Sequence, residues 1–271
     1  MSKTIVMSSG GALMRYKNEL KKLPKSKHKF FTFSSSFMFC VNELGIYPDY
    51  FSFIDPNSAM PILEHICNSK EKIKTKIIFL DPLHTKLSYK DYIKWYGTTP
   101  VGRINNFGGW KRLHELVNKL QKNNNIINIP CYTTRYLNNN PNTIISNKVI
   151  IYKNSDTDNP DKLTSVILPL LDRLKIYDIS LIGFDCVGGR YIHNLGDEYT
   201  LSKCPELKNI KEKFVVLPGA NRGLEESKQS ISKFLPTWLK KFNITNLVED
   251  QYTFLKNFIP YQPINTLING K

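Results

Sequence analysis

The sequence lacks the features that mark several large classes of protein. It contains no CxxC pair and no cysteine and histidine cluster of zinc-ligand spacing, although it has 5 cysteines among 271 residues. Neither a disulfide framework nor a structural zinc site is therefore indicated. No apolar run approaches the roughly 18 residues of a membrane-spanning helix, and no such run follows a charged amino terminus. We expect a soluble, cytoplasmic protein with free thiols.

Acidic residues are scarce relative to basic ones. The chain has 38 lysines and arginines against 23 acidic residues, a formal net charge of +15. This charge fits nucleic acid, an anionic membrane surface or a phosphorylated ligand as partner, and the lysine and asparagine runs equally fit an AT-rich coding bias. The densest basic stretch, KNELKKLPKSKHK, has no interleaved aromatic residues, and no nucleic-acid-binding signature occurs. Nucleic acid is therefore disfavoured, and peripheral contact with the inner membrane face is retained.

Two common nucleotide-binding motifs are missing from the first predicted turn. The stretch VMSSGGALMRY lacks the lysine and the Ser/Thr of a GxxxxGK[ST] loop, and it does not spell GxGxxG. A P-loop NTPase and a standard dinucleotide dehydrogenase are therefore disfavoured. Gly10 and Gly11 still permit a close approach of the backbone to a phosphate at the start of the next helix.

Short apolar runs alternate with amphipathic segments along the chain. The candidate strands are KTIVMS, KFFTFS, YFSFID, KIIFLD, IINIP, KVIIYK, ISLIGFD, KFVVLP and ITNLVED. Strands this apolar have no solvent-exposed face. Their alternation with helical segments predicts a mainly parallel sheet covered by helices on both faces. We predict one α/β domain over residues 1–271. Its least regular part, at about 89–152, is predicted to be a mobile insertion.

Polar side chains follow the ends of five predicted strands. In chain order they are Ser8 and Ser9, Ser34 to Ser36, Asp55, Asp81 and Asp185. Ligands of open parallel sheets bind beyond the carboxyl ends of the strands, so we expect these groups to line one rim. Hydroxyls, carboxylates and a glycine-rich turn suit a ribose and phosphates. Any single aspartate could instead cap the next helix or begin a turn.

The stretch LIGFDCVGGRYIH begins as a buried strand and ends among polar groups. His193 is the candidate general base, because an imidazole titrates near neutral pH and can deprotonate an acceptor hydroxyl. Asp185 is a candidate to orient His193, to bind a ribose or to hold a divalent cation. Arg190 and Tyr191 are candidates to contact the phosphates of a leaving nucleotide, and Arg222 is a second candidate for that anion.

Three blocks of sequence carry a family resemblance. They are SSGGAL at 8–13, GIYPDYFSFIDP at 45–56 and GFDCVGGRYIHNLG at 183–196. The chain resembles the 6-hydroxymethylpterin diphosphokinase-like proteins, which include motility-associated transferases that attach nonulosonic acids to flagellin. More remotely, it resembles the bacterial family 42 sialyltransferases. The resemblance implies a Rossmann-like catalytic domain that binds a nucleotide-linked donor.

The resemblance also assigns individual residues. In the sialyltransferase branch, asparagines at three strand ends hold the cytidine nucleotide. Ser9, Ser35 and Asp55 stand at those places here, and Asn57 follows closely, so these four join the predicted nucleotide-binding set. The segment PGANRGLEESK, where that branch carries a histidine base, has no histidine but contains Arg222. These departures separate the chain from the sialyltransferase pattern and leave the broader transferase class.

Three functional hypotheses follow from the sequence. The preferred one is a glycosyltransferase that moves a sugar, such as a CMP-linked nonulosonic acid, from a nucleotide donor to a glycan or protein acceptor, with no assigned cofactor. The second is an ATP-dependent diphosphokinase of the pterin type, in which Asp55, Asp81 and Asp185 would surround magnesium. The third is a non-catalytic nucleotide or nucleic-acid binding protein.

Overall fold

The computed structural model shows an eight-stranded sheet in which every strand pairing is parallel. The structure describes residues 2–10, 12–33, 36–53, 56–69, 73–81, 109–123, 126–133, 149–151, 163–184 and 224–269. The strands are β1 (Thr4–Met7), β2 (Lys29–Phe33), β3 (Tyr50–Phe53), β4 (Lys76–Asp81), β5 (Ile126–Thr133), β6 (Val149–Ile151), β7 (Asp178–Ile182) and β8 (Asn243–Asn246). Their order in the sheet is β6-β5-β4-β3-β2-β1-β7-β8. The predicted Rossmann-like, mainly parallel α/β fold is confirmed.

The helices connect these strands. They are α1 (Ala12–Arg15), α2 (Lys17–Lys21), α3 (Ser36–Phe39), α4 (Pro56–Asn68), α5 (Gly109–Lys122), α6 (Leu168–Arg173), α7 (Leu224–Leu239) and α8 (Ile264–Asn269). A π-helical turn, Cys40–Leu44, continues α3, and a second one, Leu163–Ile167, precedes α6. None of the helices within the described ranges is both long and apolar enough to cross a bilayer.

Both faces of the sheet are buried because its strands carry apolar side chains in both directions. In β1, Ile5 and Met7 join a core cluster with residues of α1, α2 and α8, whereas Val6 joins another with residues of α6 and α7. Successive side chains of a strand point to opposite faces, so this division puts helices on both sides, as predicted. A third cluster packs β3 and β4 against α4 and α5. Each fully buried side chain, such as Phe51, contributes about 1.5–3 kcal/mol.

The segment predicted to be an insertion, residues 89–152, forms regular elements where the structure describes it. Leu113 and Leu120 of α5 pack in the cluster that α4 lines, and Arg112 pairs with Glu64 at 3.0 Å. β5 pairs with β4, and β6 pairs with β5, so this part of the chain extends the sheet. The other residues of the segment, and the predicted strand KFVVLP, lie outside the described ranges.

A buried histidine ties the start of the sheet to the end of the chain. The backbone N–H of Lys3 donates to Nδ1 of His28 at 3.4 Å, and Nε2 of His28 lies 3.2 Å from the Leu267 carbonyl oxygen. Because Nδ1 accepts the Lys3 N–H, the ring proton lies on Nε2, which donates to the Leu267 carbonyl. This imidazole therefore links β1, β2 and α8.

Candidate functional site

The strand order changes direction between β1 and β7. From β1 to β6 each new strand is added on one side, whereas β7 pairs with the other side of β1 and β8 continues beyond it. In open α/β sheets, a crevice for ligands forms beyond the carboxyl ends of the strands at such a switch point. The segments that leave β1 and β7 are the first glycine-rich turn and the start of GFDCVGGRYIHNLG. The candidate site therefore lies between these two segments.

Two backbone hydrogen bonds hold these segments together. The N–H of Ser8 donates to the Ile182 carbonyl at 3.0 Å, and the N–H of Gly10 donates to the Gly183 carbonyl at 3.0 Å. They continue the pairing of β1 and β7 past the last residue of each strand. The first turn is thus fixed to the end of β7 by main-chain atoms.

Gly183 makes this close approach feasible. Its φ is +80°, a conformation that residues with side chains rarely adopt. A β-carbon at this position would lie 2.4 Å from the carbonyl oxygen of Ser8 and 3.2 Å from the amide nitrogen of Gly10. The first glycine of GFDCVGGRYIHNLG therefore has a structural reason, which is contact with the first turn.

Ser36 joins the carboxyl end of β1 to that of β2. Its fully buried Oγ accepts a hydrogen bond from the Phe33 N–H at 2.9 Å and lies within donating distance of the carbonyls of Met7 (2.9 Å) and Phe33 (2.7 Å). The sequence placed Ser36 on the rim but favoured Ser35 as the ligand. The structure gives Ser36 the task of positioning strand ends.

Few of the predicted site residues fall in the described ranges. Ser9 is buried, with 3% of its surface exposed, and Gly10 makes the backbone contact given above. Asn57 lies in the first turn of α4, just after the carboxyl end of β3. These three therefore lie at one edge of the sheet. The other predicted residues are outside the described ranges and stay predictions: Gly11, Ser35, Asp55, Asp185, Arg190, Tyr191, His193 and Arg222.

A buried thiol contacts the last residue of β1. Cys40 Sγ donates to the Met7 sulfur at 3.4 Å, and burial raises the pKa of the Cys40 thiol far above its ordinary value. A thiol that stays protonated is a poor nucleophile. Cys40 is therefore a core residue and does not take part in nucleophilic chemistry.

A contact between α1 and the segment after β8 has no signature in the sequence. The guanidinium carbon of Arg15 lies 3.3 Å from the ring centroid of Tyr252, and the Tyr16 hydroxyl accepts a hydrogen bond from the Glu249 N–H at 3.2 Å. Burial raises the pKa of Tyr16, so its hydroxyl remains neutral. These contacts fix the carboxyl end of β8 beside α1, next to the switch point. No local pattern reveals them, because 233 residues separate Tyr16 from Glu249.

Within the described ranges, no three histidine, cysteine, aspartate or glutamate residues are grouped as metal ligands. The magnesium expected for a diphosphokinase would need Asp55 and Asp185, which lie outside those ranges. Asp81 is the last residue of β4, at the same edge as the first turn.

No protein-family model matches the chain, and no curated protein matches it. The structure is similar to that of the sialyltransferase CstII from Campylobacter jejuni in complex with a substrate analogue, CMP-3FNeuAc. The sequence identity is 16% and the TM-score 0.45, over 97% of this chain and 88% of that one. It is also similar to the monofunctional alpha-2,3-sialyltransferase Cst-I from Campylobacter jejuni, with 18% identity and a TM-score of 0.45, over 97% of this chain and 81% of that one. At such identities, the function has to be argued from the residues of the site.

Proposed function

We propose that this protein is a glycosyltransferase that uses a nucleotide-linked sugar donor, and that the nucleotide binds beyond the carboxyl ends of β1 and β7. The observation that carries this proposal is the first turn, Ser8–Gly10, held against Gly183 at the switch point of the strand order. Ligands of parallel α/β sheets bind at this place. The buried backbone hydrogen bonds between the two segments hold the first turn in place at this site.

The residues proposed for the reaction come directly after Gly183 in the chain. Gly183 begins the block GFDCVGGRYIHNLG, which carries Asp185, Tyr191 and His193. In the proposed reaction His193 takes the proton of the acceptor hydroxyl while the oxygen of that hydroxyl bonds to the sugar carbon. The bond from that carbon to the donor phosphate breaks, and Arg190 and Tyr191 stabilise the departing phosphate.

We extend the proposal to a CMP-linked nonulosonic acid as donor and a glycan or protein as acceptor. The support is the resemblance of the three sequence blocks to families that handle such donors. In this proposal Ser9, Ser35 and Asp55 bind the nucleotide in place of amide side chains, and Asn57 joins them. Arg222 adds a positive charge for the phosphate of the nucleotide.

Thermal unfolding of the full chain with CMP, CDP, UMP or ATP, with and without magnesium, tests the proposal. We expect CMP or CDP to raise Tm without metal, since a ligand at 100 times its Kd stabilises the folded state by about 2.7 kcal/mol. If only ATP with magnesium raised Tm, the result would favour the diphosphokinase and contradict the proposal.

Gly10→Val supplies the matched variant. Valine keeps the N–H that donates to Gly183, so the variant should fold, but its side chain would stand where the phosphate approaches. We expect the nucleotide-dependent rise in Tm to disappear while the ligand-free Tm changes little. An unaltered response to nucleotide in folded Gly10→Val would place the nucleotide elsewhere.

A further inference from the structure

The edge of the sheet opposite the candidate site is lined by lysines. Because all strands are parallel, their amino ends lie at one edge, which we call the amino edge. Its described residues are 2–3, 21–29, 48–49, 73–76, 122–123, 172–178 and 240–243. Six of its exposed lysines come from segments that lead into four different strands: Lys27, Lys29, Lys74, Lys76, Lys175 and Lys240.

Charge is distributed unevenly over the described residues. The amino edge carries thirteen lysines and arginines and only three acidic residues, whereas the rest of the described chain carries eight basic and nine acidic residues. A coding bias toward lysine would enrich every surface. The concentration of the positive charge at one edge therefore indicates a surface with a function.

Backbone hydrogen bonds align the amino ends of neighbouring strands. The N–H of Lys29 donates to the Lys3 carbonyl at 3.2 Å, and the N–H of Lys76 donates to the Asp49 carbonyl at 2.9 Å. On the other side of β1, the N–H of Asn243 donates to Tyr177 at 2.8 Å. Neighbouring strands are about 4.8 Å apart, so the lysines from β4 to β8 extend over about 24 Å. This is a broad basic strip.

The three acidic residues of the amino edge already have partners there. Asp178 lies 3.6 Å from the ammonium group of Lys3, and Asp172 lies 2.5 Å from that of Lys241. Asp49 accepts a hydrogen bond from a backbone N–H of β2 at 2.8 Å. The exposed lysines of the strip therefore determine its sign.

The chemistry of the strip favours a diffuse anionic surface over a nucleic acid. Twelve of its thirteen basic residues are lysines, which are hydrated point charges without the forked geometry that arginine offers to individual phosphates. Single-stranded nucleic acid is held by stacking on free aromatic rings. Tyr177 lies in the strip and Trp238 two residues before Lys240, and both rings pack edge-on against Phe242, at 5.3 and 5.8 Å.

We propose that the amino edge docks on the headgroups of an anionic phospholipid bilayer. Lysine clusters bind such surfaces through the sum of many weak electrostatic attractions. These attractions fall off over about one Debye length from the surface, and salt weakens them. In this orientation the carboxyl ends of the strands, with the candidate site, point away from the membrane. The inference rests on charge and topology, and it is independent of the reaction that the site performs.

Co-sedimentation of the full chain with vesicles tests this. The vesicles contain phosphatidylcholine alone or with about a third phosphatidylglycerol, at low and at physiological salt. We expect binding only to the anionic vesicles, weakened by salt. Each lysine near such a surface raises the binding constant by a factor of about five, so Lys74→Gln/Lys76→Gln should weaken vesicle binding about 25-fold.

Lys233→Gln/Lys256→Gln is the matched control, since it removes the same charge from exposed positions outside the amino edge. We expect it to bind within about threefold of wild type. Equal losses in both variants would reduce the effect to net charge and overturn the proposal. So would absence of vesicle binding, or binding to a single-stranded oligonucleotide that outcompetes the vesicles.

Discussion

A β-carbon on residue 183 would lie 2.4 Å from the carbonyl oxygen of Ser8, so Gly183 and Ser8 fit together only because residue 183 has no side chain. We predict that Gly183→Ala lowers the free energy of unfolding by about 2 to 5 kcal/mol, because a left-handed backbone and a steric overlap act together. Urea unfolding monitored by circular dichroism measures the loss.

Gly45→Ala is the control for that experiment. Gly45 also has a positive φ, of +63°, but a β-carbon there would meet no atom within 4 Å. Backbone strain alone should lower the free energy of unfolding by about 1 to 2 kcal/mol. If the two substitutions were equally destabilising, the overlap with Ser8 would have no energetic weight.

Two buried serines provide a test of polar satisfaction near the site. Ser36→Ala leaves the Phe33 N–H without its acceptor, and we expect a loss of about 1 to 3 kcal/mol together with weaker nucleotide binding. Ser52 is equally buried, but its hydroxyl has no hydrogen-bond partner within the described part of the chain. Ser52→Ala should therefore be neutral within about 0.5 kcal/mol or stabilising. A larger loss for Ser52→Ala than for Ser36→Ala would contradict this view of the strand ends.

The buried thiol of Cys40 predicts a dependence of stability on alkaline pH. Its pKa is raised in the folded protein, whereas in the unfolded chain a thiol ionises at about pH 8.5. Below that pH both states keep the proton. Above it only the unfolded state loses the proton, so the free energy of unfolding falls by about 1.4 kcal/mol per pH unit.

Comparison with Cys40→Ala isolates this contribution from other titrating groups. We expect the stability difference between wild type and Cys40→Ala to be constant from pH 6 to 8 and to shrink between pH 9 and 10.5. A difference that stays constant to pH 10.5 would mean that the folded thiol ionises as easily as the unfolded one.

His193→Ala tests the proposed base. We expect donor binding and the melting temperature to change little and turnover to fall about 10²- to 10⁴-fold, the usual contribution of general acid-base catalysis. Wild-type turnover should rise with pH through the titration of the imidazole, and this rise should vanish in the variant. Initial rates and donor affinity from pH 5 to 9 provide both readouts.

A histidine that only orients a phosphate gives a different pattern. Its removal would weaken donor binding and leave the pH profile of turnover unchanged. Wild-type activity in His193→Ala would remove this residue from the site.

The apolar runs predicted the strands well, because burial on both faces leaves little choice of residue type. KTIVMS and KIIFLD contain β1 and β4, and ISLIGFD contains all but the first residue of β7. The proposed position of the site, at the carboxyl edge, follows from the parallel sheet alone.

Strand order was beyond the reach of local patterns. The pairing of β7 with β1 joins segments more than 170 residues apart, and nothing in either segment specifies its neighbour. The switch point, and with it the function of Gly183, therefore appeared only in the structure. Similarly, the basic residues that precede separate strands looked scattered in the sequence and form one strip only when the strands are aligned.

The central place of β1 has a consequence for synthesis of the protein. β1 is complete at Met7, but its neighbour β7 ends only at Ile182. At about 5–20 residues per second the ribosome needs on the order of 10 to 35 s to add the intervening chain. During that interval one side of β1 has no partner, and an unpaired strand edge is a template for association between chains. The nascent protein must therefore keep this edge covered for many seconds before its central strand pair can close.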